Sequence, residues 1–247
     1  MPAPTVLELL WGASARPKRG PKPSLSVAGI VAEAMALADA EGLAGLSMQR
    51  LADRLGNTKM SLYRYVPGKA ELTALMLEAA IGVPPELESE PPAAEKTGPL
   101  AAEPWRAGLH AWAAATFERY RKHPWVLELL VGVRPLGPNE MGWMEAALRV
   151  LADTPLTGPE RLDTIVVLNG HVRSLAQQTM GSDTTEEGFT QGMAAAMELA
   201  GDRFPQLTAA LTAPEQFAAQ RDDALDFGIE RILDGVGALM AQRGESS

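Results

Sequence analysis

The 247-residue chain reads as an all-α protein of two domains, a small helical module followed by a larger helical body. Three observations carry that reading. Ala and Leu are abundant within a 46% hydrophobic content, with few aromatics or β-branched runs, a composition that favours helix. Apolar residues recur at i, i+3, i+4, i+7 in segment after segment. Six prolines between Val83 and Pro104 separate two sets of such segments.

Met1 to Ser24 keeps no lasting period and carries Pro2, Pro4, Pro17, Pro21 and Pro23, although Val6 to Trp11 is apolar enough for one helical turn. Arg16, Lys18, Arg19 and Lys22 make this arm (residues 1–23) basic. The first module spans 24–82. Its opening helix runs from Ser26 to Glu41 on the stripe Val27, Ile30, Val31, Ala34, Leu37 and Ala38, and Gly42 ends it. Met48, Leu51, Ala52 and Leu55 give the second helix one apolar face. Ser47 is placed to cap it, and Gly56 to end it in the left-handed region. After Gly56-Asn57, Thr58 caps a third helix from Lys59 to Tyr65, which Pro67 stops by pushing Val66 out of the helical region. Leu72, Leu75, Met76 and Ala79 stripe a fourth helix after Lys69.

Two short helices joined by a glycine-containing turn match the helix-turn-helix unit. The polar residues left over in it are Ser47, Gln49, Thr58, Lys59, Ser61, Tyr63, Arg64, Tyr65 and Lys69. Hydroxyls, an amide and cations suit phosphate oxygens and base edges, so these are the candidate DNA-binding residues. The same spacing also fits a plain amphipathic helix pair. The run LADRLGNTKMSLYRYVPGKAEL resembles the DNA-binding region of the tetracycline-repressor (TetR) family, whose LYxxV run and following Lys stand here as Leu62-Tyr63-Arg64-Tyr65-Val66 and Lys69. Tyr65 replaces the His common two residues after the Tyr, which implies a changed phosphate contact and not a lost one.

Charge divides along the same line. Residues 1–69 hold nine Lys/Arg against five Asp/Glu, a net of +4 inside a whole-chain charge of −9, so residues 70–247 carry −13. A basic module on an acidic body orients one end toward a polyanion. Just ahead of a DNA-binding module, the basic arm is placed to reach phosphates or a minor groove.

Val83 to Pro104, rich in Pro and Glu, reads as a linker that buries too little apolar surface to offset its ordering entropy. The body, residues 105–247, resumes the helical pattern. Trp105, Leu109, Trp112, Thr116 and Tyr120 line one helix ending near His123-Pro124, and Trp125 to Val131 gives a short one. Trp143, Met144, Ala147, Leu148 and Leu151 stripe another. Thr157-Gly158-Pro159-Glu160 has capping-box spacing and opens a helix to about Met180, striped by Leu162, Ile165, Val166, Val172 and Ala176. Thr184 to Ala200 follows, then a turn at Pro205 to Leu211, then a final helix from about Asp222 to Gln242. In that helix Leu225, Ile229, Ile232, Val236 and Leu239 step as a heptad seam, and Gly228 and Gly235 permit close approach by another helix. The family resemblance implies dimerisation through a bundle of two long C-terminal helices per subunit, here 157–180 and 222–242, and FGIERILDG at 227–235 resembles the closing helix of one branch.

The body also holds the candidate effector site. Trp105, Trp112, Trp143, Met144, Met180, Met193 and Met197 supply apolar and polarisable surface, while Asn169 and His171 place polar groups on apolar faces. Each fits a packed core equally well. The chain has no cysteine, its three histidines lack metal-ligand spacing, and no phosphate loop or nucleophile motif appears, so neither catalysis nor a cofactor is expected. No apolar run approaches the ~20 residues of a membrane span, and no basic n-region marks export, which places the protein in the cytoplasm without a membrane partner.

These readings converge on a ligand-responsive transcriptional regulator, foremost a repressor. It is expected to bind an inverted-repeat operator in double-stranded DNA as a homodimer, and to be released by a small apolar or aromatic molecule. The alternative is a helical small-molecule-binding protein without operator-specific DNA binding.

Overall fold

The computed structural model describes residues 4–12, 25–87, 103–178, 185–212 and 224–244. The basic arm cations and Met180 lie outside these, as does most of the linker. The regular elements among the described residues are all helices, with no strand. They form two compact units, one up to Thr154 and one from Pro155.

The first unit contains α1 (Val6–Leu10), α2 (Val27–Glu41), α3 (Met48–Arg54), α4 (Lys59–Tyr63), α5 (Lys69–Ile81), α6 (Pro104–Lys122), α7 (Val126–Leu129) and α8 (Pro138–Val150). Its helix ends follow local chemistry. Ser26, Ser47 and Thr58 each accept a backbone N–H of the following turn. Gly42 and Gly56 take positive φ where α2 and α3 stop. The Asn57 N–H reaches the Ala52 carbonyl and the Gly56 N–H the Asp53 carbonyl, a Schellman ending. The third helix stops at Tyr63, two residues before the expected Tyr65. Val66 and Tyr65 both donate to the Leu62 carbonyl in a tightened turn ahead of Pro67.

α5 is the central element. Leu72, Leu75, Met76, Leu77, Ala80 and Ile81 are buried on it, whereas Ala79, assigned to its stripe by spacing, is exposed. α5 packs against α1, α2, α6, α7 and α8 at once, so apolar residues cover more of its circumference than one stripe. The apolar turn at residues 6–11 is α1, closed by a Thr5–Glu8 capping box and docked on α5 through buried Leu10. Glu78 of α5 supplies what α8 lacks, a cap. Its carboxylate accepts the Asn139 N–H at 2.6 Å, while the Asn139 side chain donates to the Glu78 carbonyl at 2.9 Å. Burial raises the Glu78 pKa, and the amides of Asn139 and Glu140 oppose that rise. Gly108 of α6 admits Val150 of α8, whose methyl would sit 2.7 Å from any added Cβ.

The second unit holds α9 (Gly158–Gln178), α10 (Thr185–Ala200), α11 (Pro205–Thr212) and α12 (Ala224–Gly244), with α9 packed on α12. Pro205 to Leu211, expected as a turn, lies within helix α11. Two stripes redistribute. On α9 the buried line is Ile165, Leu168, Val172 and Ala176, while Leu162 and Val166 are exposed. On α12 the buried line is Ile229, Leu233 and Met240; Leu225, Ile232, Val236 and Leu239 of the expected seam are half-buried. Only side chains at the line where α9 and α12 meet are fully buried, and apolar residues flanking that line keep part of their surface exposed.

Candidate nucleic-acid interface

α3 and α4, with the turn between them, form the helix-turn-helix. Met48, Leu51, Ala52, Leu62 and Val66 are buried beneath it, so the remaining side chains are held on a fixed outer surface. The nine predicted residues divide by occupation. Ser47 spends its hydroxyl on the Arg50 N–H at 3.2 Å. Thr58 accepts the Ser61 N–H at 3.2 Å, and the two hydroxyls lie 2.8 Å apart. Gln49 donates to Asp53 at 2.8 Å. These four order the helix ends and faces before any contact with DNA.

Lys59, Arg64 and Lys69 are exposed, and Tyr63 and Tyr65 are half-buried. The Lys59 Nζ lies 5.7 Å from the Tyr63 ring centroid, a cation–π distance that aligns cation and phenol on one face. The Lys69 Nζ points back to the Leu43 carbonyl at 3.4 Å. Arg50 and Arg54, which sequence reasoning passed over, carry cations on α3. Arg50 is bidentate to Glu41, with contacts of 2.8 and 2.6 Å, and Arg54 pairs with Glu33. Both fasten α3 to α2. The i, i+3 pattern gives no sign of such pairs, because their acidic partners sit on another helix.

The predicted effector residues fall in both units. In the first, Trp112 and Trp143 are buried as an edge-to-face pair 6.2 Å apart, and the Trp112 N–H donates to the Trp143 carbonyl at 2.9 Å. Trp143 donates in turn to the Gly82 carbonyl at 2.9 Å. Trp105 is half-buried and Met144 exposed. In the second, Asn169, His171, Met193 and Met197 are half-buried. The His171 Nε2 lies 3.1 Å from the Leu225 carbonyl, and its ring occupies the space a side chain at Gly228 would need. The glycine in α12 is thus explained by a histidine of α9. A cleft of about 240 Å³ lies elsewhere, lined by Val6, Ala74, Leu77, Leu129, Val133 and Arg134 among others, and by none of the predicted residues.

Asp39 of α2 was not singled out by its sequence surroundings. One of its oxygens lies 2.8 Å from His123 Nδ1 and accepts the Trp125 N–H at 2.6 Å, tying α2 to the α6–α7 junction.

A helix-turn-helix with an ordered, partly cationic outer face, carried on a helical body, defines a DNA-binding protein. Residues 30–76 match the model for bacterial regulatory proteins of the tetR family, and residues 98–240 match the tetracyclin repressor-like C-terminal domain. The chain belongs to the tetR family and is a transcriptional regulator. It is 40% identical over 252 residues to the HTH-type transcriptional repressor DrrR1 of Streptomyces coeruleorubidus, covering 98% of this chain and 88% of that protein. An HTH-type transcriptional regulator of Saccharopolyspora erythraea is 30% identical over 191 residues, 75% of each chain. Among solved structures, ActR of Streptomyces coelicolor in complex with actinorhodin superposes with a TM-score of 0.71 at 24% identity, covering 92% of this chain and all of that one. No helix among the described residues is long and apolar enough to cross a membrane.

Proposed function

We propose that the protein is a cytoplasmic, non-catalytic repressor that binds an inverted-repeat operator as a homodimer and leaves it when a small apolar or aromatic effector binds the body. The observation that carries this is the outer face of the helix-turn-helix. Its hydroxyls are spent on internal caps, while Lys59, Arg64 and Lys69 stay exposed beside Tyr63 and Tyr65, the set a phosphate backbone selects. Residues 24–82 form the DNA-binding module and 105–247 the effector and dimerisation domain. Repression is supported by the relative DrrR1, which is named a repressor. An effector is supported by ActR, solved with actinorhodin and with (S)-DNPA. Dimerisation is supported by apolar side chains that one chain leaves in solvent on α9 and α12, Val166 at 68% and Phe227 at 62% exposure among them.

A two-fold dimer sets two α4 helices about 34 Å apart or a multiple of it, which requires an inverted repeat. The test is duplex selection from random sequence, followed by titration of the enriched duplex. Tyr63→Ala and Lys69→Ala should each weaken binding without changing the circular dichroism spectrum. Lys69→Ala should also flatten the dependence of log K on log salt by about one unit per protomer. An unchanged affinity in both variants overturns the docking.

A further inference from the structure

One side chain of the helix-turn-helix does not fit an account built on cations and hydroxyls. Met60 is 73% exposed. Between residues 47 and 69 it is the sole large apolar side chain in that state; Met48, Leu51, Leu62 and Val66 are buried and Leu55 is half-buried. A helix turns about 100° per residue, so Met60 stands about 200° from Leu62, which is fully buried. It therefore points almost straight away from the core, on the side that also bears Tyr63 and Arg64. A thioether there gives the fold nothing, since it covers no core, and it offers phosphates no donor.

We propose that Met60 is a specificity-determining residue that reads thymine, packing its thioether against the C5-methyl group in the major groove. The inference rests on the docking of α4 proposed above and adds to it the base being read. Thymine is the one base that presents an apolar group on the major-groove edge, and an apolar side chain is its complement. A flexible, polarisable chain suits a contact whose position is set by the backbone cations and not by hydrogen bonds to the base. The Lys59 Nζ lies 5.7 Å from the Tyr63 ring centroid, so a cation that can hold the backbone flanks the side of α4 that bears Met60.

The experiment uses the full chain and a pool of synthetic duplexes with a random 24-base-pair block, selected in parallel by the natural protein and by Met60→Ala. Each thymine of the duplex enriched by the natural protein is then replaced singly by deoxyuridine, which removes only the methyl group. The natural protein should lose about three- to fivefold in affinity at one or two thymines of each half-site, the factor set by burial of one methyl. Met60→Ala should be indifferent at those same positions and should relax the preference for thymine there. If uridine costs both proteins equally, or neither, Met60 does not read thymine and the inference falls while the docking stands. If the natural protein enriches no sequence, the docking falls and takes the inference with it.

Discussion

Glu160 shows how one side chain can make helix stability depend on pH. Its carboxylate accepts the Thr157 N–H at 2.8 Å and the Thr157 hydroxyl at 2.9 Å, and the Arg243 guanidinium donates to it at 2.5 Å. These bonds, the Thr157 amide first, pull its pKa from 4.5 to about 2. A depressed carboxyl contributes stability that is full above about 4.5 and lost as pH falls through about 2. Glu160→Gln should therefore melt below the natural protein at pH 7, and the gap should close as pH falls from 4.5 toward 2. A gap that stays constant over that range would show that the charge contributes nothing. Much of this was legible, because Thr157-Gly158-Pro159-Glu160 spells the capping box. The participation of Arg243 was not, because a partner 83 residues away leaves no trace in local spacing.

At the scale of elements, the same division recurs with a physical reason behind it. Ser47, Thr58, Gly42 and Gly56 announce helix ends because capping is local, decided within four residues. The cap of α8 could not be read, since Gly137 offers no side chain and Glu78 comes from α5. Stripes were legible as helices but not as burial patterns, as the exposed Val166 and the half-buried Ile232 show. The α9–α12 pairing makes a quantitative prediction. Gly228→Ala should gain up to ~1 kcal/mol of helix propensity. Its Cβ would displace the His171 ring, forfeiting the bond to the Leu225 carbonyl and straining the contact, a cost of about 1–3 kcal/mol. The substitution should thus destabilise the natural chain and stabilise a His171→Ala background. Denaturant midpoints of the four proteins measure that reversal, and equal effects in both backgrounds would remove histidine as the reason for the glycine.

For the whole molecule, the decisive surface is the apolar one that a single chain leaves uncovered. Val166 and Phe227 contribute little to their own protomer, so Val166→Glu and Phe227→Glu should leave helix content intact. In a dimer bundle either change buries an unpaired charge, which costs about 3–5 kcal/mol. The dimer dissociation constant should rise by more than about a hundredfold, giving monomers at micromolar concentration in sedimentation equilibrium and loss of operator binding with them. A dimer that survives both substitutions places the interface elsewhere. The division of charge, a basic first 69 residues and a strongly acidic remainder, acts at this scale too. The acidic body resists wrapping by DNA and leaves the basic end as the favoured approach.

Four tryptophans of the first unit spend their indole N–H groups on other segments. Trp11 donates to the Leu136 carbonyl, Trp112 to the Trp143 carbonyl, Trp125 to Asp39 and Trp143 to the Gly82 carbonyl. Each of these four joints is therefore marked by one indole proton, of a type that resonates apart from the backbone amides. Transfer of the protein into heavy water turns these protons into four separate clocks, one each for the docking of α1, the α6–α8 contact, the tie to α2 and the hold on the end of α5. The order in which they stop gives the order in which the joints of the regulator open.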